Sequence, residues 1–280
     1  MAERILIAGC GDLGERVARL LLQRGDEVYA LRRHPPEDDH GIRWLAADLT
    51  CTETLAALPS GIQQLVYLPA SKTREPDAYR AVYLDGLRNV LGALDGASLK
   101  RVLFVSSSGV YGEHGDEWVD ETTPPAPQGF NGQVLCEAEQ WLAHQPIETV
   151  ALRLAGLYGP GRLQLIHRLR AGQMRAPRVQ RHWANRMHVE DAAAAIVHLR
   201  GLRDPQHVYV GVDDTPLPLD VLYDHLAALI GAPPVADGPG PAGIGSKRLS
   251  NARLRASGFQ LRWPDSREGY AACLRDKPAS

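Results

Sequence analysis

The sequence predicts an α/β fold, a doubly wound parallel sheet covered by helices on both faces and followed by a smaller C-terminal lobe. Three observations carry that expectation. The first two-thirds of the 280 residues alternates short β-rich runs with helical stretches, the order that builds a parallel sheet. Those runs are continuously apolar rather than alternating, as suits strands covered on both faces. A glycine-rich turn joins the first run directly to an amphipathic helix.

Strands are expected over 4–8, 27–31, 42–46, 65–68, 102–106 and 149–154. Between the first two, Leu13, Val17, Leu20 and Leu21 share one helical face, and Gly25 stands where the helix should end. Further helices are expected over 78–94 and 132–144. Beyond Leu154 the pattern loosens into short elements separated by Gly/Pro-rich stretches, densest over 231–245. The reading is therefore one domain over 1–154 and a smaller lobe over 155–280, packed on the carboxyl edge of the sheet.

Composition narrows the function. A net charge of -2 provides no basic field for nucleic acid or anionic lipid. No apolar run approaches the ~20 residues a membrane helix needs, and the first residues lack the apolar core of a signal peptide. A cytoplasmic location and a small-molecule partner are the expectation. Cys10, Cys51, Cys136 and Cys273 form no CxxC pair and the histidines no HExxH, so neither a metal site nor a disulfide framework is expected.

Gly9-Cys10-Gly11-Asp12-Leu13-Gly14 is a GxGxxG between a strand and a helix, the context in which this motif signals a Rossmann dinucleotide site. Gly9 permits the tight turn, Gly11 lets the backbone approach a pyrophosphate, and Gly14 lets the helix pack on the sheet. The pyrophosphate would sit over Asp12 and Leu13 at the helix N-terminus, where amides and dipole favour an anion. An NAD-selective site places a carboxylate about 20 residues on. Here Arg32 and Arg33 end the second strand. They suit a 2′-phosphate, or they are a solvent-facing pair. NADP(H) is thus the expected cofactor, ahead of NAD(H). Asp48 could accept from the adenine amino group, cap a helix from Thr50 onward, or do both.

Several longer stretches resemble the extended or atypical short-chain dehydrogenases/reductases, the NAD-dependent epimerase/dehydratase group. Asp48-Leu49 resembles its adenine-contacting segment and Leu68-Pro69-Ala70 the segment along the cofactor ribose. Ser106-Ser107-Ser108-Gly109-Val110-Tyr111-Gly112 resembles SSxxVYG, and Arg153 to Arg162 resembles LRxxxxYGPGR. His188-Val189-Glu190-Asp191 resembles HVxD, and 247–258 resembles KRxxNxRLRxxG. The resemblance implies cofactor contacts extending to Ser106, a substrate-orienting hydroxyl at Ser107, and substrate contacts at Ser108, Tyr158, Arg162 and His188. It also implies a homodimer built on the helices over 78–94 and 132–144.

One departure stands out. Where the family carries YxxxK, aligned through Glu139, this chain has Asn131 and Leu135. An amide exchanges no proton near neutral pH, and a leucine tunes no phenol. Candidates for proton transfer are then Ser107 with water, Tyr111, Tyr158, Cys136 or His188. Each also has a structural reading: core packing for the tyrosines and Cys136, a strand cap for Ser107, an anchor for His188. Arg162 and Arg181 could grip an anionic group or simply be solvated. Two functions follow: an NADP(H)-dependent oxidoreductase or epimerase-like enzyme on a small polar or sugar-nucleotide-like substrate, or an NADP(H)-binding redox sensor or scaffold without turnover.

Overall fold

The computed structural model describes residues 2–71, 73, 75–241 and 243–275. Among them seven strands form one parallel sheet: β1 Arg4–Ala8, β2 Glu27–Arg32, β3 Arg43–Ala46, β4 Gln64–Tyr67, β5 Arg101–Ser107, β6 Glu148–Leu154 and β7 Val208–Gly211. Their spatial order is β7-β6-β5-β4-β1-β2-β3, in which the chain starts at the centre and winds outward both ways. Ile5, Leu6, Ile7 and Ala8 of β1 are wholly buried, which is why that strand reads as an unbroken apolar run.

Helix α1, Asp12–Gln23, buries Leu13, Gly14, Val17, Ala18 and Leu21. It stops at Gly25, whose φ of 84° only glycine adopts without strain. The helix expected over 78–94 is instead three consecutive segments: α2 Pro76–Arg80, a π-type turn Ala81–Asp85, and α3 Gly86–Ala93. Apolar periodicity reports that a stretch is helical but not a local change of pitch. Helix α4 spans Phe130–Ala143, beginning two residues before the expected 132.

By contacts the chain divides into two units, neither continuous in sequence. The first comprises Met1–Ser107, Phe130–Arg153 and Ala193–Tyr209; the second comprises Ser108–Gly129, Leu154–Ala192 and Val210–Ser280. A single cut at residue 154 therefore differs from the observed division: 108–129 joins the second unit and 193–209 the first. The second unit has its own core, in which Tyr158, Ile166, Leu222, Leu226 and Tyr270 pack together. Short parallel ladders join Gly156–Tyr158 to Arg186–His188 and Trp118–Val119 to Arg248–Leu249. No helix among the described residues is long and apolar enough to cross a membrane.

Candidate functional site

The β1–α1 turn is built around two glycines with different tasks. Gly9 has φ 82°, and a Cβ there would lie 2.4 Å from Pro69 Cα, so only glycine fits. Its carbonyl accepts the Gly11 N–H at 2.9 Å, and the Cys10 N–H donates to Leu31 O at 2.9 Å. Gly11 has φ -97° and ψ -156°, open to any residue, and a Cβ there would meet nothing within 4 Å. The space above it is open for a ligand. No side chain caps α1 at Gly11, although first-turn amides of a helix require acceptors. Gly14 packs against Cys10 Sγ and Leu68. Burial, reinforced by the Glu15 charge, pushes the Cys10 thiol up to about 12, so Cys10 acts as a neutral filler.

A groove runs from this turn across the carboxyl ends of β2, β3 and β4. Gly9, Gly11, Arg32, Arg33, Asp48 and Leu49 line it, together with Pro69, Ala70 and Val82. Arg32 Nη1 donates to Glu15 at 2.9 Å, and Arg33 Nη1 lies 3.9 Å from Asp48. Both arginine side chains stay reachable, 42% and 49% exposed. Leu13, Leu68 and Ser106 are buried behind the groove rather than on it; Asp12 pairs with Arg16.

Asp48 corrects an expectation. Its Oδ1 accepts the N–H and the hydroxyl of Thr50, at 2.9 and 2.8 Å. The helical turn that follows, Thr52–Leu55, has Cys51 at its N-cap and no side-chain cap bond. Asp48 thus closes a local Asx-type turn and is not a helix cap. The Thr50 hydrogen bonds first, then the Arg33 charge, hold its carboxyl below the usual range; it faces the groove as a charged acceptor.

Asn131 is exposed in the first turn of α4, and Leu135 is buried one turn on. Ser107 ends β5, half-buried. Ser106, expected on the cofactor, instead donates its hydroxyl to Glu139 at 2.5 Å. Glu139 also accepts a bidentate pair from Arg153, Nη2 to Oε2 at 2.6 Å and Nε to Oε1 at 3.2 Å. In sequence Glu139 is only an alignment marker; the structure makes it a charged rivet between α4, β5 and β6. The signal is present as Arg153 in one motif and Glu139 in another. Cys136 is half-buried, and burial with the Glu139 charge raises its thiol to about 11, the reverse of an activated nucleophile.

The second unit holds the remaining candidates mostly as core. Tyr158 is buried, stacked on Tyr270 at 4.2 Å and edge-on to His188 at 5.1 Å. His188 is buried too; its Nδ1 accepts the Glu190 N–H at 3.2 Å and its Nε2 lies 3.6 Å from Cys273 Sγ. Tyr158 and His188, expected on substrate, have no surface to offer. Tyr111 is likewise buried, while Ser108 is half-buried. The Arg162 N–H closes a turn onto Gly159 O at 2.9 Å; Arg181 is exposed. Asp191 accepts the N–H groups of Arg262 and Trp263, both at 2.9 Å. Lys247 is buried, donating to Gly112 O and Gly245 O at 2.9 Å, and burial lowers its amine to about 8. The HVxD-like and KRxxN-like stretches thus do structural work here.

Asp213, 1% exposed, has its carboxyl pushed by burial from 3.8 to about 8, against a hydrogen bond from Thr215. Between those values the folded chain keeps a proton that the unfolded chain has lost. Stability therefore falls as pH rises from about 4 to about 8. Asp213→Asn removes that slope. Its thermal midpoint, followed by circular dichroism, is expected to gain on the wild type steadily between about pH 4 and pH 8; a constant difference would show that Asp213 does not titrate there.

A parallel sheet ordered outward from β1, with a glycine turn opening a groove at its carboxyl edge, defines a Rossmann-type dinucleotide-binding protein. The chain matches the NAD dependent epimerase/dehydratase family over residues 5–211, and it belongs to that family. It is 31% identical to protein YeeZ of Escherichia coli strain K12 over 276 residues, 94% of this chain and 97% of that one. A structure from Methylobacillus flagellatus described as an NAD-dependent epimerase/dehydratase shares 42% identity, with a TM-score of 0.82 and 98% of both chains covered. The UDP-glucose 4-epimerase of Thermus thermophilus, solved with NAD, shares the fold at 22% identity, with a TM-score of 0.80 over 98% of this chain and 100% of that one.

Proposed function

We propose that this family member uses NADP(H) to oxidise, reduce or epimerise a small polar or sugar-nucleotide-like substrate without the usual Tyr-Lys pair. The observation that carries the cofactor choice is the rim of the groove. Two half-exposed guanidinium groups stand at the end of β2, where an NAD site would place a carboxylate. The residues suit a dinucleotide: open space above Gly11 for the pyrophosphate, Asp48 and Leu49 toward an adenine, Pro69 and Ala70 toward a ribose. When bound, the nicotinamide would supply the hydride chemistry.

Titration by intrinsic fluorescence tests this. NADPH is expected to bind at least about tenfold more tightly than NADH, since a charge-assisted phosphate contact is worth ~1.5–3 kcal/mol. The double variant Arg32→Ala, Arg33→Ala should erase the preference and leave NADH binding nearly unchanged. Equal affinities in the wild type would overturn the choice. The second reading, a redox sensor or scaffold that binds without turnover, draws on the buried Leu135 and the exposed Asn131 of α4.

A further inference from the structure

The two guanidinium groups at the end of β2 are not held alike. Arg32 Nη1 donates to Glu15 Oε1 at 2.9 Å, a full charge-assisted hydrogen bond. Arg33 Nη1 stands 3.9 Å from Asp48 Oδ2, close enough for an ion pair but too far for a hydrogen bond. The other oxygen of Asp48 is taken by the Thr50 N–H and hydroxyl, so that carboxylate is committed to its own turn. Arg32 is engaged, and Arg33 is held loosely. The partner of Arg32 comes from the first turn of α1, where the Glu15 N–H donates to Gly11 O at 2.8 Å. That helix start is where a pyrophosphate would sit, and an uncompensated carboxylate there would repel it. Both acids of the turn meet a cation. Asp12 meets Arg16 at 3.0 Å, whereas Glu15 meets Arg32 at 2.9 Å and Arg19 only at 3.8 Å. Arg32 is thus the main counter-charge of Glu15. A guanidinium that neutralises a carboxylate on one side has less charge and fewer donors for a phosphate arriving on the other. Arg32 lines the groove and Glu15 does not, so Glu15 acts on a ligand through Arg32.

We propose that Glu15 sets how strongly this groove prefers NADP(H): it withholds Arg32 and leaves Arg33 as the guanidinium first open to a 2′-phosphate. The inference rests on the cofactor reading given above. A 2′-phosphate must share Arg32 with Glu15, whereas the 2′-hydroxyl of NAD(H) has no charge to lose by that sharing. Glu15 is therefore a positioning residue with an unusual sign. Removing its charge should strengthen the phosphate contact, while an acid that only supported the fold would show no such gain.

Calorimetric titration with NADPH and NADH tests this. Glu15→Gln is expected to raise the ratio of NADPH to NADH affinity about fivefold above that of the wild type. Arg33→Ala should lower the ratio more than Arg32→Ala does. Adding Glu15→Gln to Arg32→Ala should bring none of the gain, because the gain runs through that guanidinium. Glu27→Gln supplies the control. It removes the same charge at the opposite end of β2, roughly 16 Å away along the strand and beyond a Debye length, and should leave the ratio as it is. An unchanged or lower ratio in Glu15→Gln overturns the inference, as does a gain that persists without Arg32. Equal wild-type affinities overturn the NADP(H) choice, and this inference falls with it unless Glu15→Gln creates a preference. Failure of the wild type to bind either cofactor overturns the whole cofactor reading and the role of Glu15 with it.

Discussion

Replacing Gly11 by valine is expected to abolish dinucleotide binding in a chain that still folds. The two expectations have separate physical grounds. The backbone at Gly11, φ -97° and ψ -156°, is one that any residue adopts, and a Cβ there meets no protein atom within 4 Å. Loss of glycine flexibility in the unfolded chain, worth ~0.4–1 kcal/mol, even favours the variant. The same empty space is where a pyrophosphate must approach the amides of α1, and a branched side chain fills it. Affinity for NADPH should fall at least about a hundredfold, or ~2.7 kcal/mol. Circular dichroism should be unchanged. Gly9→Ala makes the contrast, because its added Cβ would sit 2.4 Å from Pro69 Cα on a backbone at φ 82°. That variant should lose stability first. A folded Gly11→Val protein with undiminished NADPH binding would remove the glycine turn from the site.

The glycine turn is legible in sequence because all its requirements are local. A strand, three glycines at fixed spacing and an amphipathic helix are contiguous, so motif and element order can be read together. The central strands are legible for a related reason: both faces of each are covered, and the apolar run is unbroken. β7 is not, because Val208–Gly211 is a four-residue run bounded by polar and glycine-rich segments. Its identity comes from pairing with β6, more than fifty residues away in sequence. The π-type turn at Ala81–Asp85 escapes too, since the apolar spacing across it stays compatible with a plain helix.

Tertiary context also reassigns residues whose motifs are recognisable. Ser106 lies in a stretch that points toward cofactor, yet which of three consecutive serines turns toward α4 depends on strand pleat and helix register. Tyr158 and His188 sit in motifs pointing toward substrate, but stacking with Tyr270 and Trp263 buries them. Polar residues in a recognised motif can serve packing as readily as chemistry. The deciding quantity is whether the polar atoms are already satisfied inside the fold.

Glu139 presents that distinction in its sharpest form, and Glu139→Gln, although isosteric, is expected to be strongly destabilising. The Glu139 and Arg153 side chains are 8% and 6% exposed, joined by a bidentate contact and extended by the Ser106 hydroxyl. A glutamine keeps the shape but turns an amide NH₂ toward a guanidinium that has only donors to offer. It also withdraws the carboxylate charge from a buried cation. Breaking one side of a buried pair costs about 3–5 kcal/mol. For a chain of this size that is a drop of roughly 6–20 °C in thermal midpoint. Glu137→Gln supplies the comparison on the same helix. Its pair with Arg80 is also two-pronged, but both side chains are more than 40% exposed. Solvent screens that interaction, and its loss should cost about 0–1 kcal/mol. Thermal melts of the two variants, run side by side, separate burial from charge pairing as such. Equal drops would mean that Glu139 is solvated in the working protein. A large drop for Glu139→Gln alone would establish that α4, the helix carrying Asn131 and Leu135, is held against β5 and β6 by this one buried carboxylate.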